Sequence, residues 1–166
     1  MQSQTIEKKK FSRSSAKLVK HTFNGFVFLT VGNYELDNKM KALAVTLRDD
    51  PYFDPSKSES YPIICGSTEF EIWDTIEEYE TQENGYQSYR VLTDGQADWE
   101  WNTALDIYLD DCILHELDGA AKMYFDTKKW KRDARMDGRG HSLNSYDGTE
   151  ECATINKVDY YIYRTN

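Results

Sequence analysis

Two groups of residues in this chain have types and spacing that could do chemistry. The first is a set of carboxylates. Asp98, Asn102, Asp106 and Asp110 recur at four-residue steps, with Asp111 and Glu116 close behind. On a helix such steps fall on one slowly drifting stripe. Carboxylates held on a rigid surface can imitate duplex phosphates, which carry one charge per ~1.7 Å of axis. Asp98, Asp106, Asp110, Asp111 and Glu116 are therefore a candidate partner-binding face, suited to the basic surface of a nucleic-acid-binding enzyme. The plainer alternative is a solvated helix face. The second group is "DGRGHSLNSYDG", residues 137–148. Arg139 could grip a phosphate or carboxylate with two parallel hydrogen bonds. His141 could exchange a proton near neutral pH. With Tyr146 and Asp147 they form a candidate nucleotide loop. Ser142 and Ser145 are nucleophiles only if a base is oriented on them. The plainer alternative has Gly138 ending a helix, Arg139 paired to a carboxylate and Asp147-Gly148 in a turn.

Neither group carries a recognised catalytic pattern. There is no G-x-S-x-G elbow, Walker loop or H-E-x-x-H pair, so no catalytic residue is assigned. Asp110-Asp111, or Glu77-Glu78 with Asp106, could offer hard oxygen ligands. However, no EF-hand series is present, and neighbouring residues on a helix point about 100° apart. No metal and no cofactor are expected.

Charge layout narrows the partner classes. Net charge is −9 over 166 residues. Residues 68–118 carry fifteen acids and one base, Arg90, whereas residues 1–20 are net +5 and residues 119–140 net +4. Such a distribution bears on partners and encounter rates rather than on fold. Lys128, Lys129, Lys131, Arg132 and Arg135 surround Trp130, a composition that can bind phosphate backbones. The acidic total argues against direct nucleic-acid binding. No apolar run approaches the ~20 residues of a membrane span, and the N-terminus has no apolar stretch behind its basic residues to make a signal peptide. Cys65, Cys112 and Cys152 are odd in number and far apart, which suggests neither a zinc site nor a disulfide framework.

The elements that must position these groups can be read from periodicity. Residues 1–15 read as a disordered basic tail, and 16–166 as a single domain. Asn24-Gly25 between two β-rich runs predicts a hairpin with strands near 17–23 and 26–31. Leu36, Met40, Leu43, Ala44 and Leu47 predict a short amphipathic helix stopped by Pro51. Residues 61–65 read as a buried strand. Asn84-Gly85 predicts a second hairpin, with strands near 69–81 and 86–92. The best helix starts after Thr93 or Asp94 and keeps a stripe from Ala97 to Leu117, with Gly119 past its end. A further helix begins after Asp126 and stops at Gly138. Asn156-Lys157 marks a closing hairpin. The expected fold is α+β: an antiparallel sheet of hairpins packed against two or three helices.

Two segments, L-T-D-x-x-A-D-x-x-W (Leu92 to Trp101) and W-K-x-D-A-x-x-D-G-R-G-H-x-L-x-x-Y-D-G (Trp130 to Gly148), resemble small acidic proteins encoded by tailed bacteriophages and related mobile elements. Gly95 stands where an acidic residue would be expected. The resemblance covers roughly the C-terminal half and implies phage origin and expression in a host bacterial cytoplasm. It carries no activity. The leading expectation is a phage accessory protein that binds and sterically inhibits a host protein, a nucleic-acid-processing or defence complex, in the manner of anti-CRISPR, antirestriction or DNA-mimic proteins. There Trp99 or Tyr108 would anchor the complex. One alternative is a nucleotide-binding or hydrolytic protein using Arg139, His141, Tyr146 and Asp147. A third is a structural or DNA-associated phage protein using the basic tail and residues 128–135.

Overall fold

The computed structural model describes residues 18–31, 37–51, 53 and 61–166. The expected basic tail lies outside the described residues, as does Leu36. Seven strands form one sheet: β1 (Leu18–Phe23), β2 (Phe26–Val31), β3 (Ile63–Cys65), β4 (Glu69–Ile72), β5 (Gln87–Thr93), β6 (Glu151–Ile155) and β7 (Val158–Arg164), in the order β1-β2-β3-β4-β5-β7-β6. The first and last hairpins form as expected. Asn24-Gly25 (φ 51° and 82°) and Asn156-Lys157 (φ 49° and 65°) turn the chain with the left-handed pairs that suit the twist of two-residue hairpins. The sheet is not wholly antiparallel, because β3 runs parallel to β2. Parallel neighbours need a crossover, and α1 (Asn38–Asp49) lies within it. Asp37 caps that helix by accepting the Met40 N–H at 3.0 Å.

Alternation along the strands assigns each side chain to a layer. Phe26 and Phe28 of β2, with Tyr160 and Ile162 of β7, pack with Met40, Leu43 and Leu47 of α1. Val27 and Leu29 point the other way, to Trp73 and Tyr79. Tyr163 of β7 packs with Leu92, Ala97 and Leu143, and Tyr161 lies against that cluster. The sheet is thus covered on both faces. Burial of each large apolar side chain contributes about 1.5–3 kcal/mol.

Helices replace three expected features. The strand expected over 69–81 ends at Ile72. Trp73 turns into the core, and Thr75 then caps α2 (Ile76–Thr81) by accepting the Glu78 N–H at 3.1 Å. Glu77 and Glu78 favour that positive helix end. The β4–β5 pairing itself forms. The best helix, α3 (Asp94–Tyr108), opens on a capping box between Thr93 and Gln96. It then runs into a π-turn over Leu109–Leu114. Gly119 does not end it: Asp118 accepts the Ala121 N–H at 2.8 Å and starts α4 (Gly119–Tyr124). Asp126 caps α5 (Thr127–Ala134) as expected, and a 3-10 turn over Arg135–Asp137 follows. Finally α6 (Arg139–Leu143) lies inside the stretch read as a loop. Among the described residues six α-helices stand where two or three helices were expected. No helix among the described residues is long and apolar enough to cross a membrane. The three cysteines are free: Cys65 buried, Cys112 and Cys152 exposed.

Candidate functional site

Residues 137–148 are held by their own hydrogen bonds. Arg139 is the centre. Its Nη1 donates to Asp94 Oδ1 at 2.8 Å and to Asp98 Oδ1 at 3.1 Å, both on the first turns of α3. Its Nε and Nη2 donate to the two carboxylate oxygens of Glu150 at 2.9 and 3.3 Å. The guanidinium also lies over the Tyr161 ring, 4.2 Å from the centroid. Burial disfavours the charge, but the bonds to Glu150 and Asp94 outweigh it and raise the Arg139 pKa. Glu150 in turn accepts from the Tyr163 hydroxyl, whose pKa is raised by burial and by that bond. One side chain thus ties the start of α3 to the approach to β6.

The rest of the stretch closes on itself. Asn144 Nδ2 donates to the Thr149 carbonyl at 2.8 Å, and its Oδ1 accepts the Tyr146 and Asp147 N–H groups, each at 3.0 Å. Asp147 accepts from the Thr149 N–H and hydroxyl; the N–H bond, then the hydroxyl, lowers its pKa. The Tyr146 ring carries the Arg164 guanidinium at 3.6 Å. Gly140 is needed because the chain crosses itself there. A Cβ would stand 2.3 Å from the Gly148 carbonyl oxygen and 2.9 Å from the Thr149 carbonyl carbon.

The four residues of the candidate nucleotide loop do not converge. Arg139 is occupied by three carboxylates. His141 opens onto a groove beneath α3, whereas Tyr146 and Asp147 line a separate cavity with Asp49, Asp50 and Glu151. Among the described residues no group of three or more metal-ligating side chains could hold an ion.

The carboxylate stripe divides as well. Asp98 belongs to Arg139, and Asp106 pairs with Lys131 of α5. Asp110 and Asp111 sit in the π-turn, whose wider turns end the four-residue register. Asp110, Asp111 and Glu116 are exposed, and no cation among the described residues pairs with them. The basic segment 128–135 is engaged in part. Lys129 and Arg132 meet Asp133, Lys131 meets Asp106, and Arg135 lies over Trp101. Lys128 is exposed with no partner among the described residues.

Two apolar features of this flank were not read from the sequence as a pair. On the outer face of α3, Trp99, Thr103 and Ile107 follow at four-residue steps, with Trp99 68% and Ile107 56% exposed. Both line a cavity of about 500 Å³, which Glu69, Arg90 and Glu100 also line as an ion-paired row. Next to it, with Ala104 and Ser142 lining both, α5 and α6 leave a groove of about 740 Å³ against α3. Ala104, Leu105, Phe125 and Ala134 give it apolar walls, and Asp137, His141 and Ser142 are among its polar groups. Tyr108 and Trp130 also line it, as a parallel ring pair with centroids 6.0 Å apart. The four-residue steps of Trp99, Thr103 and Ile107 were a usable signal for the outer face. The ring pair joins two helices across a turn and has no local signature.

The chain matches no family model, no curated protein and no solved structure.

Proposed function

We propose that this chain is a protein-binding module that docks the outer face of α3 and the π-turn after it onto a partner with a basic surface. One observation carries the reading. Trp99 and Ile107 stand exposed on one face of a well-capped helix, and the carboxylates of Asp110, Asp111 and Glu116 follow without a cation among the described residues. An aromatic and aliphatic patch beside unpaired charge is the usual anatomy of an interface anchor and its rim. The carboxylates would speed encounter with a basic partner, and Trp99 and Ile107 would hold the complex once water is expelled. In its specific form the partner is a host nucleic-acid-processing or defence enzyme, blocked sterically by a phage accessory protein. Asp98 and Asp106 have a smaller part in this form than in the sequence reading, because Arg139 and Lys131 already neutralise them.

The test is a tagged pull-down from nuclease-treated bacterial lysate, followed by titration of the retained protein with variants. The expected result is a single stoichiometric partner released by salt. Its affinity should fall by about 2 kcal/mol with Trp99→Ala and should lose its salt dependence when Asp110, Asp111 and Glu116 are changed to lysine. A partner indifferent to both changes would sink the reading.

A further inference from the structure

The groove between α3, α5 and α6 has features the outer face does not share. Its acids, Asp126, Asp133 and Asp137, outnumber its one lysine, and that lysine is tied to Asp133 at 2.7 Å. Asp126 is engaged as the α5 cap. Asp137 is exposed at the end of the 3-10 turn with no cation among the described residues. The Tyr108–Trp130 ring pair lines the same groove. A site with aromatic faces, apolar walls and an unpaired carboxylate selects a cation with an apolar stem. An anion would meet repulsion, and a neutral apolar group would leave Asp137 unpaired.

Among the described residues three of the four cations that lie over rings are arginines: Arg135 over Trp101 at 5.2 Å, Arg139 over Tyr161 at 4.2 Å and Arg164 over Tyr146 at 3.6 Å, while the one lysine, Lys41 over Phe23, stands farthest off at 5.9 Å. Among the described residues no cation lies over Tyr108 or Trp130. Guanidinium is planar and weakly hydrated, so it stacks on a ring while forking to a carboxylate; ammonium is more strongly hydrated and does so less well.

We propose that the groove between α3, α5 and α6 receives an arginine side chain presented by a partner polypeptide, with the guanidinium against the Tyr108–Trp130 pair and its charge met by Asp137. Ala104, Leu105 and Phe125 take the stem and a flanking apolar residue. That the arginine comes from a polypeptide rests on the protein-binding reading. The groove's preference for guanidinium does not.

The experiment uses the full chain labelled at tryptophan nitrogens, with the Trp130 indole signal assigned from Trp130→Phe. Four probes are titrated: a short peptide with one arginine between leucines, the same peptide with lysine, the same peptide with citrulline, and agmatine. The arginine peptide is expected to move the Trp130 signal while leaving buried Trp73 in place. The citrulline peptide should bind about tenfold more weakly, and the lysine peptide should fall between them. Asp137→Asn, at an exposed position that leaves the fold intact, should weaken the arginine peptide about threefold to tenfold. Equal binding of arginine and citrulline peptides, or no movement of Trp130, overturns the proposal. Agmatine binding as tightly as the arginine peptide overturns the polypeptide source and assigns the groove to a free guanidinium compound. Because the readout sits at Trp130, a partner that ignores Trp99 would defeat the outer-face reading without touching this one.

Discussion

Residues 137–148 and residues 109–136 sit side by side against α3 and use similar residue types to opposite ends. The first stretch turns its chemistry inward. Arg139 meets three carboxylates and a ring, Asn144 satisfies three backbone groups, and Gly140, Leu143 and Asn144 are buried. The second turns outward. Neither α4 nor α5 has a buried residue, and Met123, Tyr124 and Met136 are among the most exposed apolar side chains described. Richness in arginine, histidine, aspartate and glycine therefore does not mark a site here. What separates scaffold from surface is whether each polar group has already found its partner.

The comparison breaks first at Gly140. If the inward stretch is scaffold, Gly140→Ala must drive a methyl group into the Gly148–Glu150 backbone, which cannot step aside as a flexible side chain would. Destabilisation of about 3 kcal/mol is expected in urea unfolding. A loss under about 1 kcal/mol would mean that the crossing is loose and the stretch free to move. Next is Arg139→Leu, which leaves Asp94, Asp98 and Glu150 facing one another without their cation. The arginine side chain is only 13% exposed while its carboxylates are more so, so the cost should stay below that of a fully buried pair, at about 2 kcal/mol. Arg139→Lys should recover little of it, since ammonium cannot fork to Glu150 and reach Asp94 together.

The outward stretch should answer in the opposite sense. Changing Asp110, Asp111 and Glu116 to lysine should move unfolding stability by no more than about 0.5 kcal/mol, because none of the three holds another described residue. A cooperative loss of stability there would show that the arm is scaffold too. Hydrogen exchange offers the same contrast without mutation. Amides of α4 and α5 should exchange well before those of β5 and β7, since few buried contacts oppose their opening.

Much of this was legible in the sequence, for identifiable reasons. Both terminal hairpins follow from two-residue turns that only a few residue pairs can make. The caps at Thr93 and Asp126 follow from local hydrogen bonding. The parallel β2–β3 pairing was not legible, because alternation within a strand says nothing about its neighbour's direction. Nor was the start of α4, where Gly119 serves as well after a helix as just inside one, and only Asp118 in front decides. The pairing of Arg139 with Asp94 and Asp98 spans more than forty residues, so the plainer alternative could name its chemistry but not its partners.

The inward stretch is not satisfied everywhere, and that gives the smallest effect. Beneath Asp147, Glu151 of β6 shares a cavity with Asp49 and Asp50. Burial first, then Asp50, Asp147 and Asp49, raises the Glu151 pKa. A carboxyl whose pKa is higher folded than unfolded holds its proton more tightly in the native state. Its charge therefore costs stability once pH rises above the folded value, and the cost disappears below the ordinary glutamate range. Glu151→Gln should accordingly raise Tm at pH 7 and have no such effect in acid beneath that range. The gain should be modest, since the residue is exposed and its neighbours' field is screened. A gain that persists unchanged into acid would assign the effect to packing rather than charge. No gain at pH 7 would mean that Arg164, which lines the same cavity, already offsets the four acids, and the inward stretch would then be as fully neutralised at Asp147 as it is at Arg139.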